Sequence, residues 1–444
     1  MKMVIHTHRL IKKAIFAFLI SAIVLASENL LAKESISEEN KILIEKVFDL
    51  VDEEYIDSTD ENDLVESAIN GMLQSLDPHS IYLSPRDFND LQNDTKGEFG
   101  GLGIEVTMEN GVIKVIAPID DTPAQIAGVL EGDYITHIDN EPILGKSLNE
   151  SVKLMRGKPN SEIRITLVRE NVDEAFDLKI VRAIIKIPGV SVKTIGNKQT
   201  IGYIRISAFN EKTSEKLFQE LSMPQNNDYS IVKGYILDLR RNPGGLLRQA
   251  IEVTNMFLEK GEIVSTKRPR FQNTIRSFNA KPGDIIHGMP LIILVNGGSA
   301  SASEIVAGAL QDNHRAILIG TKTFGKGSVQ TLYPIGKNNF FFKSSNNLGA
   351  VKLTTAEYFT PSGKSIQAEG IVPDIVIEQK INKDINPENF VVGETHLKKY
   401  IKNPKKEEKM SGSSSYIPGN KTEDTQLNLA INLLNQLSIS KDKS

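Results

Sequence analysis

The sequence predicts an α+β multidomain protein with a helical N-terminal domain, a β-rich domain, an α/β domain and a C-terminal helical tail. Three observations predict this order. Apolar residues recur at helical spacing between residues 38 and 76, short alternating segments follow between about 100 and 170, and strands alternate with helices beyond residue 187. With 444 residues, of which 40% are hydrophobic, the chain can bury several cores.

Residues 1–32 have the layout of a secretory signal peptide or a membrane anchor. Four basic residues precede an apolar run from Ala14 to Ala26, and small residues near Ala26 and Ala32 offer cleavage sites. The run is short for a helix that spans a membrane. Both alternatives place the rest of the chain outside the cytoplasm. In a bacterial cell we therefore expect a protein that is periplasmic, or anchored in the inner membrane and facing the periplasm.

The remaining boundaries are placed where the pattern changes. The N-terminal helical domain takes residues 33–95, the β-rich domain 96–185 and the α/β domain 186–380, while residues 381–444 form a flexible linker and a C-terminal helix. The linker is predicted because the segment from about 381 to 420 is polar, lysine-rich and contains SGSSS. The last helix must pack against the body because one face carries four apolar residues, Leu427, Ala430, Ile431 and Leu434.

Composition excludes several kinds of site. The chain has no cysteine, which excludes disulfides, thiolate metal ligands and a cysteine nucleophile. Its seven histidines are scattered without paired metal spacing, so we predict neither a metal nor a cofactor. Loss of residues 1–32 removes four basic residues and one acidic residue and moves the formal net charge from −4 to −7. Such a chain offers no basic surface to nucleic acid.

A glycine-rich stretch, GTKTFGKGSVQ from Gly320 to Gln330, raises the alternative of a phosphate-binding loop. The spacing of Gly320, Gly325 and Lys326 fits a P-loop, but Gly327 stands where the hydroxyl that holds magnesium should be. The residues that follow alternate like a strand, whereas a P-loop opens a helix. A nucleotide site is therefore disfavoured, and Lys326 needs another explanation.

Three serines lie where the strand PLIILVN meets the helix ASEIVAGALQD. The pattern from Ser301 to Glu304 fits a capping box, in which Ser301 caps the helix and Glu304 reaches back. A serine at this junction also lies beside free backbone N–H groups and the positive end of a helix, where an oxyanion would be stabilised. Ser301 is thus either a helix cap or a nucleophile.

A serine nucleophile needs a neighbouring base, and two are available. His314 with Asp312 lies at the far end of the same predicted helix, about 20 Å from Ser301. Lys326 follows the next strand, AILIG, and adjacent strands of a sheet can bring their ends together. Burial would lower the pKa of such a lysine toward neutrality, because it disfavours the charged form. Lys326 is therefore a candidate base, with a surface loop lysine as the alternative.

The stretch ILDLRRNPGG, from Ile236 to Gly245, ends a strand with Asn-Pro-Gly-Gly before a helix. It is either an ordinary turn or the source of a second oxyanion donor beside the N–H of Ala302.

Taken together, these stretches resemble the carboxyl-terminal processing proteases, tail-specific Ser/Lys peptidases of the S41 family. The resemblance covers about residues 38 to 380 and depends on an ordered set of motifs. In chain order they are LDPHSIYLSP (76–85), GEFGGLGIEV (97–106), DTPAQIAGVLEGDYI, LDLRRNPGG, SASASEIVAGALQD, TKTFGKGSVQ and TAEYFTPSGKSIQAEGIVPDI.

The resemblance implies a crotonase-like α/β catalytic domain and roles for individual residues. Ser301 would be the nucleophile of a serine endopeptidase, Lys326, 25 positions later, its general base, and Gln330 would orient that lysine. The oxyanion would be held by the N–H of Ala302 and of one further glycine, either Gly244 or Gly245, between which the sequence does not choose.

The β-rich domain would be a PDZ domain that captures the C-terminal carboxylate of a substrate. Its binding loop would contain Gly101, Leu102, Gly103 and Ile104, and a strand edge beside it would pair with the peptide. Substrates would be extracytoplasmic proteins with apolar, accessible C-terminal tails. Arg156, in LMRG, would couple tail binding to assembly of the Ser/Lys site, with a surface arginine at a helix end as the alternative.

Other function classes stay open on the sequence alone. One is a peptide-binding scaffold without catalysis, another is a nucleotide-dependent enzyme, and a third is a histidine-dependent hydrolase. The sequence also leaves open an activating adaptor, a membrane anchor and a homodimer formed through the helical ends.

Overall fold

The computed structural model describes residues 36–109, 111–119, 121–186, 189–196, 199–222, 232–270, 274–336, 347–381, 387–403 and 412–441. The predicted signal or anchor in residues 1–32 lies outside them. In the described part of the chain, no helix combines the length and the apolar character that crossing a membrane requires. The chain divides into two compact units, residues 1–69 and 70–444.

The N-terminal part contains the two helices that the periodicity predicts. Helix α1 spans Glu38–Glu54 and helix α2 spans Glu61–Gln74. The hydroxyl of Ser37 caps α1 by accepting the N–H of Asn40. The predicted apolar stripe of α1 is present but not buried, since no residue of this helix is buried and Ile44 and Val47 are more than half exposed.

A short strand and a third helix lead into the β-rich domain. Strand β1 is Ile81–Leu83, and helix α3 is Pro85–Lys96, which begins after the capping hydroxyl of Ser84. The helix ends at Gly97, whose φ of 75° is the left-handed conformation that glycine adopts without strain.

The β-rich domain is a six-stranded antiparallel sheet with two helices, in which the short strand Glu141–Pro142 pairs only with Tyr134–Ile138. Its elements are β2 (Glu98–Gly101), β3 (Ile104–Glu109), β4 (Val112–Pro118), α4 (Pro123–Ile126), β5 (Tyr134–Ile138), β6 (Glu141–Pro142), α5 (Leu148–Met155), β7 (Glu162–Val168), β8 (Phe176–Val181) and β9 (Ala183–Lys186). The strand order is β3-β4-β5-β7-β8, which leaves β3 at an edge, and β2 pairs with β9. Alternate residues of β7, Ile163, Ile165 and Leu167, are fully buried, as a sheet with one buried face requires.

The α/β domain contains a six-stranded sheet with parallel strands at its centre. Its elements are β10 (Val190–Ile195), β11 (Ile201–Ile206), α6 (Thr213–Ser222), β12 (Gly234–Asp238), α7 (Leu247–Asn255), β13 (Glu262–Arg268), β14 (Thr274–Asn279), β15 (Leu291–Val295), α8 (Ala302–Asp312), β16 (Ile317–Gly320), β17 (Ser328–Gly336), β18 (Asn347–Phe359) and β19 (Ile375–Val376). The order is β10-β11-β12-β15-β16-β19, with only β10 antiparallel to its neighbour. Strands β12 and β15 are buried throughout because helices cover both faces.

The α/β domain also contains part of a second sheet, which includes β1 from the N-terminal part of the chain. Its order is β1-β18-β13-β14, and β17 pairs with β18. One face of the mostly parallel sheet, β10-β11-β12-β15-β16-β19, packs against α6, α7 and α8. The other face packs against helix α9, Thr425–Lys441, through Leu427, Ala430 and Leu434, as the apolar face of this helix predicts.

The structure of the segment predicted to be a flexible linker differs from that prediction. The described parts of residues 381–420 contain the 3-10 turns Pro387–Phe390 and Glu394–His396 and two short paired strands, β20 (Val391–Val392) and β21 (Ser413–Ser414). Beyond the linker, the Arg240 guanidinium lies 2.8 Å from the carboxylate of Asp424, and both side chains are buried. Composition did not reveal this packing, because a few buried contacts can fix a segment that is otherwise polar.

Candidate active site

Ser301 lies in a tight turn between strand β15 and helix α8. Its φ of 56° and ψ of −113° place it outside the ordinary regions for a residue with a side chain, a strain typical of functional sites. Gly244 lies directly against this turn, since a Cβ there would be 2.8 Å from Ser301 Cβ and 3.0 Å from the Ala302 nitrogen. A glycine is therefore required for the two loops to approach.

The hydroxyl of Ser301 is held by a tyrosine. Ser301 Oγ and Tyr358 Oη are 2.8 Å apart, and Tyr358, on β18, is only 3% exposed. Burial raises the pKa of the Tyr358 phenol above its ordinary value, so the ring stays neutral and keeps its proton. The serine is thus an oriented hydroxyl, and it also begins helix α8 as the N-cap residue of the predicted capping box with Glu304.

Lys326 reaches the same place from the neighbouring strand. Strands β15 and β16 are adjacent and parallel, so the loops after their carboxyl ends meet. Ser301 and Lys326 line one cavity of about 870 Å³. Burial lowers the pKa of Lys326 from its ordinary value, and the positive charge of Lys352 lowers it further, while Glu394, Glu304 and Asp77 act in the opposite direction. A lysine with a lowered pKa is a usable base.

Lys326 and Ser301 share no hydrogen bond in this conformation. Among the described residues, the Ser301 hydroxyl is bonded to Tyr358, and no hydrogen bond joins Lys326 Nζ to Ser301 Oγ. A proton transfer between them needs a movement of the lysine side chain or of its loop.

Glu304 connects the serine turn to the lysine loop, defined as residues 323–327. This carboxylate is 0% exposed. Its Oε2 accepts the N–H of Ser301 at 2.7 Å and of Lys326 at 2.9 Å, and its Oε1 accepts the Thr323 hydroxyl at 2.6 Å and the Gly325 N–H at 2.7 Å. Burial raises the pKa of Glu304 to about 7, against hydrogen bonds that favour the ionised form. The predicted reach of Glu304 back to Ser301 is present, and it serves the lysine loop as well.

Two backbone N–H groups of the described residues that line the cavity of Ser301 have no acceptor. The N–H of Gly244 donates to Asn242 Oδ1 at 2.9 Å. In the described part of the chain, the N–H groups of Gly245 and Ala302 have no acceptor. The arrangement therefore leaves Gly245, and not Gly244, free to pair with Ala302 as an oxyanion donor.

Gln330 lies in the same cavity but shares no hydrogen bond with Lys326. Its amide nitrogen donates to Ser328 Oγ at 3.0 Å and to Thr354 Oγ1 at 3.2 Å. Its carbonyl oxygen accepts no hydrogen bond among the described residues, so it is available to a lysine that moves. The lysine-orienting contact that the resemblance implies is not made in this conformation.

The structure disfavours two alternatives that the sequence left open, a histidine base and a phosphate-binding loop. His314 follows the far end of α8 and lies outside the cavity of Ser301. The lysine loop is not a phosphate cradle, because the N–H groups of Gly325 and Lys326 donate to Glu304 and that of Gly327 donates to Gln367. The segment after it is strand β17 and not a helix.

Family models and relatives agree with this arrangement. The model of peptidase family S41 matches residues 200–377, a PDZ domain model matches 100–180, and the model of the activating protease CtpB N-terminal domain matches 21–86. A carboxy-terminal-processing protease of Bartonella bacilliformis is 48% identical over 433 residues, which are 96% of each chain. The chain belongs to the carboxy-terminal-processing proteases of family S41.

Further relatives are more distant. The carboxy-terminal processing protease CtpA of Bacillus subtilis is 34% identical over 336 residues, which are 76% of this chain and 68% of that protein. A solved structure of the photosystem II D1 C-terminal processing protease is 29% identical and covers 77% of this chain and 94% of its own, with a TM-score of 0.46. The predicted family, the multidomain α+β fold and the serine-peptidase class are confirmed.

In the PDZ domain of this S41 protease, the loop that is predicted to bind a carboxylate follows β2. Gly103 has a φ of 80°, and a Cβ there would clash with the Thr122 side chain at 2.3 Å, so only glycine fits. The carbonyl of Leu102 accepts the N–H of Ala124 and that of Gly103 accepts the N–H of Ile119, which fixes the loop. The edge position of β3 leaves one side of that strand for pairing.

Arg156 contacts a helix that lines the catalytic cavity. Its guanidinium bonds to Asp94 at 3.1 Å and stacks 4.7 Å from the centre of the Phe99 ring. Asp94 belongs to α3 and lines the cavity of Ser301. Arg156 is thus a surface arginine, with 38% of its side chain exposed, that also joins the PDZ domain to a helix lining the candidate active-site cavity.

Sequence reasoning missed three residues of this S41 site. Tyr358 lies in the TAEYFTPSG stretch that carries the resemblance, but nothing in the pattern indicates that it meets Ser301. Lys352 lines the cavity from β18, and Glu394 comes from the segment predicted to be a linker. The pairing of β18 with β17 brings Tyr358 and Lys352 to the site, and the C-terminal segment brings Glu394, so no local pattern in the sequence indicates them.

Proposed function

We propose that this S41 protease is a Ser/Lys endopeptidase that selects extracytoplasmic proteins by apolar C-terminal tails. The observation that carries the proposal is that Ser301 and Lys326 follow adjacent parallel strands and line one cavity. That cavity has an apolar lining on which an extended peptide can lie, formed by Leu246, Leu247, Ile251, Phe278, Ile305, Val329 and Leu332.

The reaction begins when the neutral amine of Lys326 takes the proton of Ser301. Ser301 Oγ then attacks the scissile carbonyl carbon, and the N–H groups of Ala302 and Gly245 stabilise the oxyanion. Collapse of this intermediate breaks the peptide C–N bond, and the Lys326 ammonium returns its proton to the leaving amine. A water molecule, deprotonated by Lys326, attacks the acyl-enzyme, and the Lys326 ammonium returns the proton to Ser301 Oγ as the ester C–O bond breaks. When the lysine swings toward Ser301, the free carbonyl oxygen of Gln330 fixes its ammonium.

The PDZ domain supplies selection in this proposal. The loop of Gly101, Leu102, Gly103 and Ile104 holds the tail carboxylate, and the tail adds as a strand beside β3. Arg156 transmits tail binding through Asp94 to the cleft, which moves the lysine from its resting position.

Location and assembly are part of the same proposal. Residues 1–32 direct the protein to the periplasm, either free or anchored in the inner membrane. The exposed apolar residues of α1, among them Leu43, Val47 and Leu50, support a homodimer through the helical ends or docking of an activating adaptor.

The test uses residues 33–444 and a protein substrate with or without an apolar tail. Wild type is compared with Ser301→Ala and Lys326→Ala, and with Lys364→Ala, which removes an exposed lysine, as the matched control. We expect tail-dependent cleavage by wild type and the control, and none by the other two. Cleavage that persists in Lys326→Ala would contradict the assigned base, and tail binding without cleavage by wild type would indicate a scaffold.

A further inference from the structure

Glu394 is buried beside the lysine loop although it lies outside the S41-matched region, residues 200–377. It belongs to the 3-10 turn Glu394–His396, in the segment that follows the catalytic strands, and it is 0% exposed. A carboxylate is rarely buried to this degree without partners.

Three partners reach Glu394 from separate parts of the chain. His79 Nε2 lies 2.9 Å from Glu394 Oε1 and 3.0 Å from Oε2. The amide nitrogen of Gln367 donates to Oε1 at 2.9 Å. The backbone N–H of Glu394 donates to the carbonyl of Phe324 at 2.9 Å. The residue thus joins the segment before β1, the segment after β18 and the lysine loop.

These contacts hold the lysine loop on both sides of Lys326. Phe324, two residues before the lysine, is bonded to Glu394, while Gly327, one residue after it, donates its N–H to Gln367 Oε1 at 2.9 Å. Gln367 in turn donates to Glu394. Glu304 accepts the N–H groups inside the loop. The backbone at Lys326 is therefore held by contacts from two buried acidic residues, directly by Glu304 and by the backbone of Glu394, and through Gln367 by the Glu394 carboxylate.

We propose that Glu394, supported by His79 and Gln367, is a positioning residue that sets where Lys326 lies relative to Ser301. The inference rests on the proposed Ser/Lys mechanism and adds that the C-terminal segment completes the catalytic site. Stability alone does not account for this placement, because the desolvation of a buried pair offsets most of its attraction. A shift of about 1 Å in a catalytic group can cost on the order of 100-fold in rate, which gives such positioning a measurable effect.

The charged groups around Lys326 predict the direction in which its pKa changes when the charge of Glu394 is removed. Burial and Lys352 lower the pKa of Lys326, and Glu394, Glu304 and Asp77 raise it. His79 Nε2 lies within hydrogen-bond distance of the Glu394 carboxylate. Loss of the Glu394 charge therefore lowers the pKa of Lys326, so the rise of activity with pH moves to lower pH.

The experiment compares Glu394→Ala, Glu394→Gln and wild type, all as residues 33–444. Glu423→Gln is the matched control, since it makes the same chemical change at an exposed position of the C-terminal segment. The measurements are kcat, KM, tail affinity and the pH profile on the tail-bearing substrate. We expect Glu394→Ala to lower kcat about 100-fold at unchanged tail affinity. Glu394→Gln, which still accepts from Gln367, should recover most of that rate, with its pH profile moved to lower pH.

The outcomes separate this inference from the proposed function. Wild-type cleavage that is lost in Ser301→Ala supports the proposed function whatever Glu394 does. A wild-type kcat and pH profile in folded Glu394 variants would overturn the positioning role alone. If Glu394→Ala fails to fold, Glu394→Gln tests the inference, because glutamine preserves the shape of the glutamate side chain. A pH profile of Glu394→Gln identical to that of wild type then contradicts the inference.

Discussion

Tyr358 joins the serine turn to the lysine loop. Its hydroxyl lies 2.8 Å from Ser301 Oγ, and its backbone N–H donates to the carbonyl of Gly327 at 2.9 Å. One residue of β18 thus contacts both halves of the candidate Ser/Lys pair, although it lies 57 positions from the serine.

Substituting Tyr358 by Phe should slow catalysis more than it destabilises the fold. The change removes the hydrogen bond that orients Ser301 Oγ, and a neutral hydrogen bond of this kind contributes about 1 kcal/mol, or roughly fivefold in rate. We expect kcat to fall about fivefold at unchanged KM. Tyr333→Phe is the control, since Tyr333 is 39% exposed on the neighbouring strand β17. An unchanged kcat in Tyr358→Phe would show that the contact belongs to the resting state alone.

Substituting Glu304 by Gln should damage both stability and activity. All four hydrogen bonds to this carboxylate come from donors, so an amide must direct its NH₂ group at one pair of them. A buried N–H left without an acceptor costs about 1–3 kcal/mol. We expect urea unfolding at lower denaturant concentration and kcat reduced by at least about 100-fold.

Glu423→Gln is the control for Glu304→Gln, because the Glu423 side chain is exposed. This control should leave the unfolding midpoint in urea and kcat at wild-type values. Glu304→Gln with wild-type stability and rate would mean that the four donors find other acceptors.

The sequence predicts the parts of this site that local pattern determines. Strand periodicity and the strand-to-helix junction place Ser301 at the end of β15, and the next strand brings Lys326 beside it because β15 and β16 are parallel neighbours. The choice between Gly244 and Gly245 depends on Asn242, two residues before Gly244, whose side-chain oxygen accepts the Gly244 N–H. The sequence shows this asparagine but not the direction in which its side chain points.

The C-terminal segment could not be predicted from composition. Its lysines and serines resemble those of a solvated linker, yet single residues within and after it are buried, among them Glu394 and Asp424. Their partners, His79 and Arg240, lie more than 180 residues earlier in the chain. Pairing over such a separation leaves no periodic signal in a single sequence.

Substituting Lys352 by Met should shift the pH dependence of cleavage upward. The positive charge of Lys352 lowers the pKa of Lys326, so its removal raises that pKa. Because the neutral amine is the base, activity rises with pH through the pKa of Lys326, and this rise moves to higher pH in the variant. Activity at neutral pH should fall, and activity at high pH should approach wild type.

The pH profile of kcat/KM measures this shift, with Lys364→Met as the matched control on an exposed lysine. A shift to lower pH, or none, would contradict the assigned proximity of the two amines. A loss of activity that is equal at every pH would instead assign Lys352 to substrate binding.

Substituting Arg156 by Ala should separate tail binding from cleavage. The change removes the ion pair to Asp94 and the stacking on Phe99, while the carboxylate loop around Gly103 stays intact. We therefore expect tail affinity within about twofold of wild type and a loss of the rate advantage that the tail confers. Titration calorimetry with a tail peptide and cleavage of substrates with and without the tail measure the two quantities.

Asp94→Ala and the double variant complete a thermodynamic cycle for this coupling. If the ion pair carries it, the double variant should be no worse than either single variant, because residues that act through one contact are not additive. Arg164→Ala is the control, since Arg164 forms a comparably exposed ion pair with Asp177 within the PDZ sheet. Additive losses in the double variant would show that Arg156 and Asp94 act separately, and tail binding would then have to reach Ser301 and Lys326 by another route.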